Sequence, residues 1–188
     1  MLTIRFLLLR KLCLLLLLAT LLIMGCRSEA GLQSPLFGDL FRNDTTAFRG
    51  LDPRDPLHRA LRQEEEAKLR YQDELGLAYQ YPLGEEAEIF IDYHSNNLMS
   101  DETSDQIVSI VSNILLEDEV ETARLYNEIQ AYFNSRYGVS SGTYGQFRWK
   151  GLTRHSTQME ILLNMSTDRK GLTINFVDID PSPLGYLD

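Results

Sequence analysis

The stretch Thr103-Ser-Asp-Gln-Ile-Val-Ser-Ile-Val-Ser-Asn-Ile-Leu115 decides the fold that the sequence predicts. Thr103 and Gln106 stand three residues apart, which is the spacing of a capping box at the start of a helix. The apolar residues from Ile107 to Leu115 then recur at helical spacing. We therefore expect an amphipathic helix with one wholly apolar face, which must pack against another layer of structure.

A second helix is predicted directly after the first. Asp118 precedes Glu119 and Glu121, whose negative charges suit the amino-terminal end of a helix dipole. Gly138 follows the last apolar residue of the pattern and is a typical helix terminator. Because few residues separate the two helices, the sequence predicts a helical hairpin or one kinked pair.

Four segments alternate apolar and polar residues, as half-buried strands do. They are residues 87–93, 144–150, 158–165 and 172–178. Short loops join the last three, which favours an antiparallel meander. The predicted fold is therefore α+β, with a four-stranded antiparallel sheet in the order β-α-α-β-β-β and the helix pair packed on one face.

The segments before this sheet are predicted to lie outside the compact domain. Residues 26–54 have no sustained period and are interrupted by glycine and proline, which predicts a tether that either folds back on its own domain or docks to a partner. Residues 55–83 predict a solvent-exposed helix, with Asp55 as its N-cap, and a linker. The compact domain then spans residues 84–180, and residues 181–188 form an irregular tail.

The first 25 residues have the order of an export signal. Arg5, Arg10 and Lys11 precede an apolar run from Leu12 to Ile23. This run is shorter than the ~20 residues that a membrane-spanning helix needs, so a cleaved signal peptide is favoured over a permanent anchor.

The residues Ile23-Met24-Gly25-Cys26 resemble the lipobox of bacterial lipoproteins. In that family the signal is cut before the cysteine and the cysteine is acylated, so the resemblance implies cleavage between Gly25 and Cys26 and a lipid anchor on Cys26. Arg27 stands where an inner-membrane lipoprotein often has aspartate. The resemblance therefore implies the outer membrane, facing the periplasm, if the source is Gram-negative. It covers only residues 1–26.

Charge and cysteine content narrow the function classes. The chain has 18 basic and 27 acidic residues and a net charge of −9. Such a balance excludes nucleic-acid binding and leaves the N-terminal lipid as the expected membrane contact. Cys13 lies in the signal, so removal of the signal leaves Cys26 as the only cysteine, and no intrachain disulfide is predicted.

Residues with catalytic or metal-binding chemistry are sparse. Asp92, His94 and His155 form one conceivable site, with Asp178 and Asp180 as further members, but they lack the spacing of a known ligand set. Residues 101–105 resemble the opening of a calcium loop, and Gln106 and Ser112 then occupy the positions that require glycine and glutamate. The sequence predicts no catalytic residue, no metal and no cofactor.

The sheet itself supplies a binding hypothesis. Phe90, Leu162 and Val177 occupy the strand face that should point away from the helices, with Arg148 at the rim. An apolar patch of this kind is usually covered, either by the protein's own residues 36–75 or by a second protein.

Two functions follow from these observations. The leading hypothesis is a lipid-anchored, non-catalytic protein whose domain binds another cell-envelope protein. The alternative is a periplasmic lipoprotein that binds a small molecule or peptide between the sheet and the helix pair, with Tyr126, Tyr132 and Trp149 as lining. A hydrolase is the third choice.

Overall fold

Residues with alternating apolar side chains form a far larger sheet than the sequence predicts. The computed structural model describes residues 34–41, 45–64, 68–73, 76–82, 87–95, 105–143 and 145–179. The chain divides into two units, Met1–Gln33 and Ser34–Asp188, and every described residue belongs to the second. The predictions for the signal, Gly25, Cys26, Asp180 and the tail 181–188 fall outside the described residues.

The described residues form three helices and eight strands. The helices are α1 (Pro35–Leu40), α2 (His58–Gln63) and α3 (Glu119–Tyr137). The strands are β1 (Lys68–Asp73), β2 (Gly76–Pro82), β3 (Ala87–Ser95), β4 (Ile107–Leu116), β5 (Ser141–Thr143), β6 (Gln146–Leu152), β7 (Gln158–Met165) and β8 (Gly171–Asp178). The strand order is β1-β2-β3-β4-β8-β7-β6-β5, and all neighbours are antiparallel. Two four-stranded meanders therefore meet where β4 pairs with β8.

This sheet shows that the predicted α+β fold, with four strands and a helix pair, is wrong. The stretch that predicted the first helix of the pair forms strand β4, and five of its ten residues are isoleucine or valine. β-branched side chains favour strands because their χ1 rotation is restricted in a helix. A register shift next to His94 pairs Ser95 with Ile107 and His94 with Ser109. This shift buries both Ile107 and Ile110 and so produces a spacing that imitates a helix.

The predicted exposed helix from residue 55 to residue 75 is also wrong. Within the described part of this segment, only His58–Gln63 is helical, and Lys68–Asp73 is the edge strand of the sheet. Asp55 is not the N-cap of α2, because Leu57 holds that position. The alternation of Leu77, Tyr79 and Tyr81 continues the sheet into β2.

The core lies between the sheet and a cover made of α3 and residues 34–41 and 45–64; we call this covered side the inner face. Five residues of α3 are buried: Thr122, Leu125, Tyr126, Ile129 and Phe133. Phe133 lies 5.2 Å from Trp149 of β6 and 5.9 Å from Phe176 of β8, between ring centroids. The helix predicted after Asp118 is thus present and packs across the inner face.

The predicted tether is part of this core where the structure describes it. Phe41 packs edge-on against Phe133 at 5.4 Å, and Phe48 lies 5.6 Å from Phe176. A tight turn reverses the chain after Phe48, with positive φ angles at Arg49 (49°) and Gly50 (85°). Such a pair of positive angles is typical of a two-residue type I′ turn. The tether was predicted either to fold back on its own domain or to dock to a partner. Residues 45–51 fold back on the domain.

Candidate binding surface

The second face of the sheet, which we call the outer face, carries neither α3 nor the described residues between 34 and 64. Strand register aligns its side chains in rows that run from β2 to β6. One row contains Ala78, Asp92, Val111, Asn175, Leu162 and Arg148. The next contains Gln80, Phe90, Asn113, Thr173, Asn164 and Gln146. Within the described ranges this face is open to solvent and is mostly polar with apolar interruptions.

The structure brings together three of the four residues predicted to bind a partner. Leu162 lies opposite Arg148 on one side, and Val177 lies opposite Glu160 on the neighbouring strand pair. Leu162 and Val177 are both half-buried, and Arg148 forms an ion pair with Glu160 at 3.4 Å. Phe90 shares their face but lies on β3, and β4 separates it from β8. The three apolar residues of the predicted patch therefore do not form one direct cluster, because β4 lies between Phe90 and the other two.

Phe90 belongs to a groove at the β1 side of the outer face. The groove has a volume of about 450 Å³ and is lined by Arg70, Tyr71, Ala78, Tyr79, Phe90, Asp92, Asn113 and Leu115. Ala78 is opposite Tyr71 on β1 and Asp92 on β3, so a small side chain between larger ones creates the depression. Arg70, Tyr71 and Ala78 were not predicted as site residues, because the sequence pattern of residues 55–83 predicted a helix and a linker there. The alternation of Leu77, Tyr79 and Tyr81 was the signal that identifies this hairpin.

A cluster of charged residues lies at the end of the sheet where β4 begins and β8 ends. Asp55 accepts hydrogen bonds from Arg154 Nε at 3.1 Å, Arg59 Nη1 at 3.3 Å and the backbone N–H of Asp52 at 2.8 Å. His155 Nε2 lies 2.9 Å from the same carboxylate. These contacts join the amino-terminal segment to the β6–β7 loop, so the charged residues of the cluster stabilise the fold.

The two aspartates of this cluster have opposite pKa shifts. Burial alone would raise the pKa of Asp55, but hydrogen bonds from Arg154, the Asp52 N–H and His155 outweigh it, and this pKa is lowered. Burial raises the pKa of Asp52, against the hydrogen bond that its carboxylate accepts from the Ala47 N–H. Asp55 is therefore held as the anion, while the fold disfavours the charge on Asp52.

A second buried ion pair fixes α2 to the tight turn. Glu64 accepts from Arg49 Nε and Nη2, both at 2.8 Å, and from the hydroxyl of Tyr93 at 2.7 Å. Arg49 also donates to the carbonyl of Asp39 and lies 4.5 Å above the ring of Tyr81. Burial, and then the charge of Glu64, raises the pKa of Tyr93, so this phenol stays protonated as a donor.

The residues considered for a metal or catalytic site are dispersed. Asp92 lines the groove on the outer face, whereas His155 contacts Asp55 and Asp178 forms an ion pair with Arg54. His94 stands on β3, opposite Ser109 of β4. Within the described ranges, no three His, Cys, Asp or Glu residues are grouped so as to hold a metal ion.

The aromatic residues proposed to line a pocket between sheet and helix fill the core instead. Tyr126 and Trp149 are buried, and the Trp149 indole donates to Asn134 at 3.0 Å. Tyr132 packs against Phe37 and Phe41. A concave site that the described residues do form is the groove on the outer face.

Comparison of the chain with protein-family models, curated proteins and solved structures finds no significant match. Among the helices that the structure describes, none has the length and apolar character needed to span a membrane.

Proposed function

We propose that this chain is a lipid-anchored protein of the bacterial cell envelope and that its outer sheet face docks another envelope protein without catalysis. The observation that carries the proposal is the placement of the amino-terminal segment. Residues 36–75 were the internal alternative for covering Phe90, Leu162 and Val177. The described part of residues 36–64 packs on the inner face instead, and 68–73 extend the sheet as β1. None of the described residues of this segment therefore covers the predicted patch, which favours a partner as its cover.

Charge on the outer face also supports a protein partner. The side chains described there include four basic residues and three acidic ones: Lys68, Arg70, Arg148 and Lys150 against Glu88, Asp92 and Glu160. The whole chain is acidic, with 18 basic and 27 acidic residues. A face with a charge different from the rest of the molecule favours a complementary partner surface and sets its orientation.

A small ligand is the second candidate, favoured by the groove. Its volume of about 450 Å³ lies in the ordinary range for ligand sites, and it presents both a basic and an acidic side chain. The groove is open and continues into the sheet face, which favours a protein segment over an enclosed small molecule.

Photo-crosslinking in the native cell tests the proposal. A probe at Leu162 reports on the outer face, and a matched probe at Val120, which is 76% exposed at the start of α3, reports on a solvent-exposed position of the opposite side. We expect a protein adduct from Leu162 that is absent from Val120 and is lost with Cys26→Ser, which removes the predicted acylation site. Equal adducts from both probes, or none from Leu162, would refute a docking function for this face.

A further inference from the structure

We infer that the groove beside β1 is the anchoring site of the outer face, and that it takes a partner segment carrying an aromatic or leucine side chain next to a carboxylate. This inference rests on the proposed docking function and specifies the chemistry of the partner. The relevant residues are the floor of the groove, its apolar walls and one guanidinium.

The floor of the groove is made by Ala78. Its side chain points to the outer face yet is only 4% exposed, because the larger side chains of Tyr71, Phe90 and Asp92 surround it. A methyl group at the bottom of a depression of about 450 Å³ leaves room for one large side chain. Concave apolar sites of this size are where interfaces place their aromatic or aliphatic anchors.

The walls of the groove expose apolar surface that an inserted side chain would bury. Tyr71 is 47% exposed and Leu115 is 50% exposed, on strands that lie on either side of the floor. Phe90 stands between them and is half-buried. An aromatic or leucine side chain seated on the floor contacts Tyr71 and Phe90, and Leu115 continues the apolar wall on the far side, so that binding removes apolar area from water on both partners.

Arg70 places a positive charge at the mouth of the groove. Its guanidinium lies 5.8 Å above the ring of Phe90 and donates to the side-chain oxygen of Gln80. These two contacts hold the group in position before anything binds. None of the salt bridges among the described residues involves Arg70, and a guanidinium has five N–H donors. A carboxylate next to the inserted side chain is the complementary group.

The side chains around the groove also allow an extended partner segment to bind with one end inside it. Thr173 donates a hydrogen bond to Asn113 Oδ1 at 2.9 Å, which fixes the amide of Asn113 at the side away from β1. Asp92 lies in the same wall region and offers a carboxylate to backbone N–H or hydroxyl donors. Beyond Asn113 and Asp92 the rows continue across β4 and β8 toward Leu162 and Arg148, so a segment anchored in the groove runs onto the proposed docking face.

The experiment places a photo-crosslinking probe at Leu115, on the rim of the groove, and compares two charge reversals in the full chain expressed in its native cell. Arg70→Glu changes the groove, and Lys170→Glu makes the same change of charge in the β7–β8 turn. We expect Arg70→Glu to lower the yield of the protein adduct at least about fivefold, since reversal turns an attraction into a repulsion, whereas Lys170→Glu leaves it unchanged. Ala78→Phe, which fills the groove, is expected to abolish the adduct.

Sequencing the crosslinked partner peptide gives the second readout. We expect an apolar residue at the attachment point with Asp or Glu adjacent to it. The inference is overturned by a partner peptide without such a carboxylate, by equal yields from Arg70→Glu and the parent chain, or by attachment to a lipid or small molecule. If the Leu162 probe still captures the partner in those cases, the docking function stands and only the anchoring site is wrong. If neither probe captures a protein, the docking function fails as well. Thermal unfolding of each variant, followed by Trp149 fluorescence, separates lost binding from lost folding.

Discussion

The buried pair of Arg49 and Glu64 gives the sharpest stability prediction. The Arg49 side chain is 3% exposed and the Glu64 side chain is fully buried. Arg49→Met keeps the positive φ of the turn and most of the side-chain volume, so it changes mainly the charge. It leaves the Glu64 carboxylate with one remaining donor in this network, the hydroxyl of Tyr93. Removing one partner of a buried ion pair costs about 3–5 kcal/mol, and we expect that loss of unfolding free energy at pH 7.

A double-mutant cycle separates pairing from packing. Glu64→Gln keeps an acceptor for Tyr93 but leaves the charge of Arg49 without a carboxylate, so it too should cost about 3 kcal/mol. The double variant, Arg49→Met with Glu64→Gln, has no buried charge left and should be no less stable than the worse single variant. The coupling energy should therefore be at least the smaller of the two single costs, about 3 kcal/mol.

Denaturant unfolding followed by tryptophan fluorescence measures these differences. Trp149 is the single tryptophan of the chain and is 2% exposed, so its emission reports the loss of the core directly. Single-variant costs that add within about 0.5 kcal/mol would refute the reasoning, because independent sites behave in that way. Single costs below about 1 kcal/mol would show that the pair is hydrated in solution.

Three further predictions concern the same fold. Asp55→Asn should cost about 2–3 kcal/mol at pH 7 and less at pH 3, because a lowered pKa contributes stability that is fully present above the ordinary value near 3.8 and is lost progressively as the pH falls toward and through the folded value. Asp52→Asn, at a carboxyl of raised pKa, should cost under about 1 kcal/mol at pH 7. Thermal melts at both pH values check this pair. Gly76→Ala should cost more than about 2 kcal/mol of unfolding free energy, since its Cβ would meet the carbonyl oxygen of Tyr93 at 1.9 Å. Gly138→Ala has nothing within 4 Å of its Cβ and should cost about 1 kcal/mol, from backbone strain alone. Urea unfolding curves distinguish the two variants. Ser112→Ala should stabilise the protein by about 1 kcal/mol, read from the same curves, because its buried hydroxyl has no hydrogen-bond partner.

Local patterns predicted several elements correctly. The alternation at residues 158–165 and 172–178 corresponds to β7 and β8, and the acidic first turn after Asp118 marks the start of α3. In these segments one face is buried and the other is exposed to solvent, so the spacing of the apolar side chains identifies the secondary structure.

The remaining elements could not be predicted from the sequence, because tertiary contacts there override local periodicity. β4 is rich in isoleucine and valine, but the register shift at its start gives its apolar residues a helical spacing. Arg49 sits in a tight turn that usually favours asparagine or glycine, and its partner Glu64 lies 15 residues away, so no local signal identifies either. The groove depends on Ala78 being small beside Tyr71 and Asp92, which is known only once the register of β1, β2 and β3 is known.

The junction between β4 and β8 has a consequence for how the chain folds. Within each meander, neighbouring strands follow one another along the chain, so most of the pairing is local. The β4–β8 pair instead joins residues such as Asn113 and Thr173, which are 60 positions apart, and α3 lies between them in the sequence. Closing so long a loop lowers the chain entropy before the strand pairing can offset that loss. We therefore expect both meanders to form before the central seam closes, so that a nascent chain exposes the apolar face of the first meander until β8 has been synthesised.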